Sequence, residues 1–146
     1  MIWLVGNRGM LGTEVDRRLQ PHKLEHVATD LDVDITDRQA LSAFSGPLAL
    51  SLIVNCSAYT AVDRAEDDPE QACRSNAEGV GNLAWVARQK KSRLLHISTD
   101  YVFDGRKEGA YLETDTPNPS GIYGRSKLQG ELYVRGNIDS HIILRP

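Results

Sequence analysis

The first 19 residues constrain the fold more strongly than any other stretch of the chain. Ile2–Val5 is a continuous apolar run, typical of a strand that is buried on both faces of a parallel sheet. Three glycines follow, at Gly6, Gly9 and Gly12, and apolar side chains then recur at helical spacing over Met10–Leu19. This order predicts a strand, a glycine loop and a helix that begins inside the loop.

A junction of this kind is suited to a pyrophosphate group. Free backbone amides at the start of a helix and the positive end of the helix dipole both point towards the loop. We assign Gly6 to the tight turn, Gly9 to the close approach of a phosphate and Gly12 to the packing of helix on strand. The spacing is one residue longer at the front than the common dinucleotide fingerprint. A glycine-rich turn without a ligand therefore stays open as the alternative.

Strand-like and helix-like segments alternate along the rest of the chain. Buried-strand patterns cover 26–29, 52–56, 94–99 and 140–146, and helical patterns cover 38–44, 67–74, 77–91 and 120–135. We interpret Asp34–Asp37 as a brief strand that ends in a helix cap. The alternation predicts an α/β fold, a Rossmann-like doubly wound parallel sheet with helices on both faces. At 146 residues we expect one domain, 1–146.

Composition narrows the class of protein. Hydrophobic residues make up 40%, charged residues 25%, and the net charge is -3, which is typical of a globular protein rather than a disordered or membrane one. The acidic balance argues against nucleic-acid binding. No segment approaches the roughly 18 consecutive apolar residues of a membrane span, and no signal peptide precedes the first strand, so we expect a cytoplasmic protein. Cys56 and Cys73 lack the spacing of metal ligands, which fits a reducing compartment.

Polar residues follow the predicted strands, at the edge of the sheet where ligands of α/β proteins bind. Asp30 lies 18 positions after Gly12, and a carboxylate near this distance accepts hydrogen bonds from the ribose hydroxyls of a bound dinucleotide. A turn acid is the alternative, because other aspartates lie nearby. Two further polar stretches, 57–63 and 98–100, end later strands.

Tyr123 and Lys127 are four positions apart on a predicted helix and therefore share one face. A tyrosine is a poor acid–base catalyst at neutral pH unless a nearby positive charge stabilises its phenolate, and Lys127 is placed to do so. A hydroxyl such as that of Thr99 would hold a carbonyl oxygen, and a nicotinamide would supply hydride. A tyrosine and a lysine at this spacing occur by chance on many helices. Here the pair follows a glycine loop and a strand-end acid in the chain, and this combination favours a carbonyl reductase.

Six motifs stand in an order that resembles the extended short-chain dehydrogenase/reductase family and, within it, the dTDP-4-dehydrorhamnose reductases. The likeness covers essentially the whole chain, through GNRGMLG, VDITD, NCSAYTAVDRAE, NAEGVGNLA, STDYVFDG and YGRSKLQGE. It implies NADPH- or NADH-dependent reduction of the C4 ketone of dTDP-4-dehydro-6-deoxy-L-mannose, a dTDP-linked 4-keto-6-deoxy sugar, to dTDP-L-rhamnose. That product serves cell-wall polysaccharide synthesis.

The resemblance also implies roles for individual residues. Tyr123 matches the catalytic tyrosine, and Lys127 matches the lysine that also holds the nicotinamide ribose. Thr99 matches the hydroxyl that tunes the tyrosine and, with Asp100, a substrate-contacting pair. Tyr123 and Lys127 also match dinucleotide contacts. The other predicted dinucleotide positions, which include the three loop glycines, are Gly6, Gly9, Met10, Leu11, Gly12, Asp30, Asp34, Ile35, Ala58, Tyr59 and Thr60.

Glu14 matches a carboxylate that joins a magnesium site at a dimer interface in the family, and a homodimer is therefore a further expectation. A surface glutamate on a helix is the commoner explanation. Arg8 would meet a 2′-phosphate, whereas Asp30 would favour a free ribose, so the preference between NADPH and NADH stays open.

Two other functions share much of this pattern. Related dehydratases carry a carboxylate after the Thr-Asp pair, where this chain has Tyr101, which disfavours dehydratase chemistry but leaves a nucleotide-sugar epimerase. The regulatory subunit of methionine adenosyltransferase keeps a similar pattern without catalysis. The family's C-terminal substrate-binding part has no counterpart in these residues, so we expect the cofactor-binding N-terminal part of a reductase, which need not be active alone.

Overall fold

Five parallel strands form one sheet in the computed structural model, which describes residues 1–146, and their spatial order is β2-β1-β3-β4-β5. The strands are β1 (Ile2–Val5), β2 (His26–Thr29), β3 (Leu52–Asn55), β4 (Arg93–Ile97) and β5 (His141–Leu144). The chain runs outward from β1 to β2 and returns on the other side of β1 to form β3. The predicted Rossmann-like α/β fold is confirmed, and a crevice opens where the strand order reverses.

Helices connect the strands on both faces of the sheet. They are α1 (Met10–Leu19), α2 (Arg38–Ser45), α3 (Val62–Asp67), α4 (Pro69–Cys73), α5 (Val80–Lys90) and α6 (Ile122–Asn137). The helices α2, α5 and α6 pack side by side, whereas α1 contacts β1 and none of these three. The connection from β1 to β2 and the connection from β2 to β3 run in opposite directions along the sheet. Because such crossovers are right-handed, α1 lies on one face of the sheet and α2 on the other.

The main core lies between the sheet and the layer formed by α2, α5 and α6. Trp3, Ile53 and Leu94 point into it from three neighbouring strands, and Leu83 of α5 packs against them; all four are essentially inaccessible to solvent. Burying a side chain of this size contributes about 1.5–3 kcal/mol. The indole N–H of Trp3 donates to Thr29 Oγ1 at 2.9 Å, so this large side chain is buried without an unsatisfied donor.

One short segment differs from its sequence-based interpretation. Asp34–Asp37 is a turn, and the prediction of a brief strand there is wrong. The Asp34 side chain accepts a hydrogen bond from the amide of Thr36 at 2.8 Å, which closes the turn and leaves no extended edge to pair. The predicted cap is present, since Asp37 accepts from the amides of Gln39 and Ala40 at the start of α2.

The helical region between β3 and β4 is divided more finely than its pattern predicts. The predicted helices at 67–74 and 77–91 are replaced by α3, α4, a π-helical turn over Arg74–Gly79, and α5. Asp68 accepts from the amide of Gln71 and Pro69 follows it, so a new helix begins there. The π-helical turn widens the helix by one residue per turn, a feature that is frequent near functional sites.

A pair of glycine substitutions tests the packing of α1 on β1. A Cβ on Gly12 would lie 1.9 Å from the carbonyl oxygen of Gly6, so we expect Gly12→Ala to lower the free energy of unfolding by ~1–3 kcal/mol. The matched control is Gly136→Ala in α6, where nothing lies within 4 Å of the new methyl group. We expect no loss there and a gain of up to ~1 kcal/mol. Urea denaturation measures both, and equal effects would contradict the close approach.

Candidate active site

The glycine loop places unpaired amides at the start of α1. Gly6 adopts φ 82°, a left-handed conformation that suits glycine, and Gly9, the N-cap residue that precedes α1, offers no side-chain cap. The amides of Met10, Leu11 and Gly12 donate to no acceptor in the protein. Together with the helix dipole these amides favour an anion in front of the loop.

A cavity of about 470 Å³ opens in front of this loop, at the carboxyl ends of the central strands. Most of the residues predicted to bind the dinucleotide share it with the predicted catalytic pair. Those lining it are Gly6, Gly9, Met10, Leu11, Asp30, Ala58, Thr60, Tyr123 and Lys127. The remaining lining residues are Arg8, Cys56, Ser57, Ile97 and Ser98.

Asp30 lies at the end of β2 and is fixed by backbone amides. Its carboxylate accepts from the amide of Arg8 at 3.0 Å and from that of Leu31 at 2.9 Å. It also borders a second cavity of about 330 Å³, which Asp34 and Ile35 line. The predicted dinucleotide positions thus lie along two cavities that share Asp30, except Gly12 and Tyr59, which line neither.

The loop after β3 is held by a residue that the sequence reasoning missed. Asn76 lies in the π-helical turn, fully buried; its side-chain oxygen accepts from the amide of Tyr59 at 2.8 Å and its amino group donates to the Tyr59 carbonyl at 3.0 Å. The same amino group donates to Ser126 Oγ of α6 at 3.0 Å. Asn76 therefore joins the loop at 58–60 to the helix that carries the tyrosine and the lysine.

Tyr123 is nearly buried, with 9% of its surface exposed. Burial raises the pKa of its phenol, and the nearby Thr99 hydroxyl acts in the opposite direction. The Tyr123 ring packs edge-on against Tyr101, with ring centroids 5.6 Å apart. The phenol therefore stays protonated at neutral pH and can donate a proton to a bound acceptor.

Lys127 is almost completely buried and lines the same cavity one helical turn further along α6. Its ammonium donates to the carbonyl of Ile97 at 2.6 Å. Burial lowers the pKa of Lys127 to about 8, against a smaller opposite effect of Glu131. A positive charge thus lies at the end of β4 below pH 8.

Asp100 lies apart from this cavity. It lines a different cavity of about 480 Å³, formed with Phe103, Tyr111 and the end of β5. The Thr99 hydroxyl donates to Asp100 at 3.3 Å and accepts from the amide of Tyr101. Thr99 therefore joins the two regions, and a substrate contact by Asp100 stays a prediction.

Glu14 lies on the exposed side of α1. Both of its carboxylate oxygens accept from arginines, Arg17 at 2.8 Å and Arg18 at 2.7 Å. These three hydrogen bonds, two from Arg17 and one from Arg18, lower the pKa of Glu14 to about 2. No group of three metal-ligating side chains occurs in the chain, so the magnesium site stays a prediction without support from neighbouring ligands.

A second residue that the sequence reasoning missed is Glu131, whose side chain is fully buried on α6. It accepts from Ser98 Oγ at 2.6 Å and from Arg145 Nε at 2.8 Å. The ends of β4 and β5 are thereby tied to the same helix as Tyr123 and Lys127. An acidic residue four positions after the lysine, on the same helix face, was the only available signal.

Comparison with known proteins identifies the family of the chain. The family model described as "RmlD substrate binding domain" matches residues 1–146. The chain belongs to this family. A probable low-salt glycan biosynthesis reductase of Haloferax volcanii is 40% identical, over 98% of this chain and 51% of its own length. A dTDP-4-dehydrorhamnose reductase of Aggregatibacter actinomycetemcomitans is 38% identical, over 97% of this chain and 49% of its own length.

A solved structure shows the same fold in the family. The crystal structure of dTDP-4-dehydrorhamnose reductase from Bacillus anthracis, in complex with NADP, superposes with a TM-score of 0.95 at 33% identity. The match covers 99% of this chain and 52% of that one. This RmlD-family chain therefore spans about half the length of the relatives it matches. None of its helices is both long and apolar enough to cross a membrane.

His96 of β4 lies in the core next to the site and is fully buried. Its Nδ1 is 3.1 Å from the Asn55 side-chain nitrogen, and its Nε2 has no partner. Burial, with a contribution from the Lys127 charge, lowers its pKa to about 3. In this RmlD-family chain the imidazole is thus held neutral.

This neutral histidine predicts a loss of stability in acid. The unfolded chain takes up a proton near pH 6.5, and the folded chain does not until about pH 3, so the unfolded state binds more protons in this window. We expect the contribution of His96 to the free energy of unfolding to fall by about 1.4 kcal/mol for each pH unit by which the pH drops below 6.5. Urea denaturation at pH 7 and pH 5 should show a smaller loss for His96→Gln than for the parent chain, and equal losses would contradict a neutral His96.

Proposed function

We propose that the chain is the cofactor-binding and proton-donating part of an NAD(P)H-dependent reductase. The reaction is reduction of the C4 ketone of dTDP-4-dehydro-6-deoxy-L-mannose to dTDP-L-rhamnose. The observation that carries the proposal is that Tyr123 and Lys127 line one cavity with the glycine loop. The dTDP-4-dehydrorhamnose reductases among the relatives, one of them solved with NADP, support it.

The residues present fit a dinucleotide. The unpaired amides of Met10 and Leu11 would hold its pyrophosphate in front of the loop, where Gly6 and Gly9 line the cavity. Asp30 would accept from the adenosine ribose, and Arg8 beside it is the group available for a 2′-phosphate. When bound, the nicotinamide supplies a hydride to the substrate carbonyl carbon.

Tyr123 supplies the proton that completes the reduction. The carbonyl carbon gains a hydride, the carbonyl oxygen gains the phenolic proton, and the ketone becomes a secondary alcohol. Burial keeps the phenol protonated before the reaction, and the Lys127 ammonium in the same cavity stabilises the phenolate left after it. The Ile97 carbonyl fixes that ammonium at 2.6 Å, so little reorganisation is needed.

We also propose that residues 1–146 form the NAD(P)-binding domain of this enzyme. The glycine loop, the acid after β2 and the Tyr–Lys pair all lie on elements of one sheet and its helices. A homodimer remains a prediction. Ile142 and Leu144, which are 55% and 46% exposed on the outer strand β5, favour self-association.

Replacement of the phenol is the direct test of the reaction. We expect Tyr123→Phe to lower turnover of NADPH with the dTDP-4-keto sugar by ~100- to 10,000-fold, because the proton donor is lost. Dinucleotide affinity should remain close to that of the parent chain. Tyr133→Phe, on the same helix and partly exposed, is the matched control.

Outcomes of this assay separate the alternatives. Full turnover in Tyr123→Phe would exclude the proposed proton donor. Dinucleotide binding without turnover, both in this chain and in a full-length relative carrying the same residues, would favour the regulatory function.

The pH dependence of the rate tests Lys127. Its ammonium is present below a pKa of about 8 and is lost above it, whereas the raised pKa of Tyr123 keeps the phenol protonated there. We therefore expect kcat to fall above pH 8. Lys127→Arg keeps its charge at all these pH values, so the decline near pH 8 should disappear while some activity remains. An unchanged decline would assign the titration to another group.

A further inference from the structure

The helix α6, which carries Tyr123 and Lys127, has no cap of its own. Its N-terminal flanking residue is Gly121, which has no side chain to accept a hydrogen bond, and its first turn contains no acidic residue. The first amides of any helix lack intrahelical acceptors. An acceptor from elsewhere in the chain must therefore satisfy the start of α6.

Glu66 of α3 provides that acceptor from 56 residues away. Its Oε1 accepts from the amide of Ile122, the first residue of α6, at 2.7 Å. A carboxylate at this end of a helix is stabilised by the helix dipole and by a charge-assisted hydrogen bond. A Cβ on Gly121 would lie 2.9 Å from the same oxygen, so the missing side chain gives the carboxylate access to the amide.

The helix α3 also packs against Tyr123 itself. Ala65, next to Glu66, is fully buried and forms a small core with Tyr123 and Ala72. On another side of the first turn of α6, a Cβ on Gly124 would lie 2.2 Å from the Tyr101 carbonyl oxygen. The turn that carries Tyr123 is therefore held between α3 and the segment at 100–102.

We propose that Glu66 is a positioning residue, which holds the start of α6 so that the Tyr123 hydroxyl points into the dinucleotide cavity. The loop at 58–60, which borders that cavity, leads directly into α3. The same rigid segment thus borders the dinucleotide and caps the helix of the proton donor. The catalytic part of this role rests on the proposed function, and the structural part does not.

The experiment combines a structural readout with a kinetic one. Removal of the carboxylate in Glu66→Ala should speed hydrogen exchange of the Ile122 amide by about 5- to 30-fold, as expected for a lost cap. It should lower kcat by about tenfold through displacement of Tyr123, with the dinucleotide dissociation constant unchanged. Glu66→Gln keeps an acceptor oxygen and should show a smaller change in both.

A matched control removes the side-chain cap of a helix that carries neither Tyr123 nor Lys127. Asp37 caps α2 with its side chain, so Asp37→Ala should cost similar stability. It should leave both the Ile122 amide exchange and kcat unchanged. An equal fall of kcat in Asp37→Ala would reduce the role of Glu66 to general stability and overturn the proposal.

A rescue variant makes the test specific. Gly121 is extended, with φ -114° and ψ 168°, which suits a serine cap. In the parent chain Gly121→Ser should lower both stability and kcat, because the new Cβ would displace the Glu66 carboxylate. In the Glu66→Ala background that space is free. The introduced hydroxyl can accept from the amide of Tyr123 or Gly124, so Gly121→Ser should slow exchange at those two amides and restore most of kcat.

The possible results separate the positioning role of Glu66 from the proposed function. Unchanged exchange at Ile122 in both Glu66 variants, or failure of Gly121→Ser to rescue, would overturn the proposal. If the parent chain and a full-length relative with the same Glu66 and Tyr123 both lack turnover, the proposed function fails. In that case amide exchange and rescue still decide whether Glu66 holds α6.

Discussion

Parallel pairing in register is the constraint on which the rest of this structure depends. Val5 pairs with both Thr29 and Asn55, so the central strands end at one level. The residue after each strand must then emerge at the same edge of the sheet, which places Gly6 and Asp30 beside each other without any direct attraction between them. Backbone hydrogen bonds between the strands thus bring the residues of the candidate site to one edge of the sheet. The side chains at the strand ends then need only the chemical groups that can bind the ligand.

The helix α6 completes the site because it is fixed along its length. Asn76 bonds to it near the start, and a Cβ on Gly130 would lie only 2.2 Å from the Asn76 carbonyl oxygen. Further along, Glu131 binds Ser98 and Arg145 at the ends of two strands. A buried tyrosine and a buried lysine therefore reach the cavity from a helix whose position is over-determined, as a preorganised proton donor requires.

Local patterns in the sequence predict the strands, the glycine loop and the shared face of Tyr123 and Lys127, because each depends on neighbours within a turn or a strand. Interactions between distant segments leave no such pattern. The contact from Glu66 to Ile122 spans 56 residues, and the Asn76 bridges depend on a single π-helical turn, which is too short to leave a period of its own in the sequence. The turn at 34–37 was missed for a related reason: a strand requires a partner, and the Asp34 side chain takes the amide that a partner would need.

The ion pair between Glu131 and Arg145 has a consequence for how this domain changes over evolutionary time. A fully buried carboxylate without its guanidinium would cost about 3–5 kcal/mol, a large part of the stability of a domain this size. Loss of Arg145 alone is therefore disfavoured, because it leaves the carboxylate with the more distant Arg135 at 3.4 Å. Loss of both side chains would leave the buried Ser98 hydroxyl without its acceptor. The residue that position 145 can accept therefore depends on the residue at position 131, although the two lie on different elements.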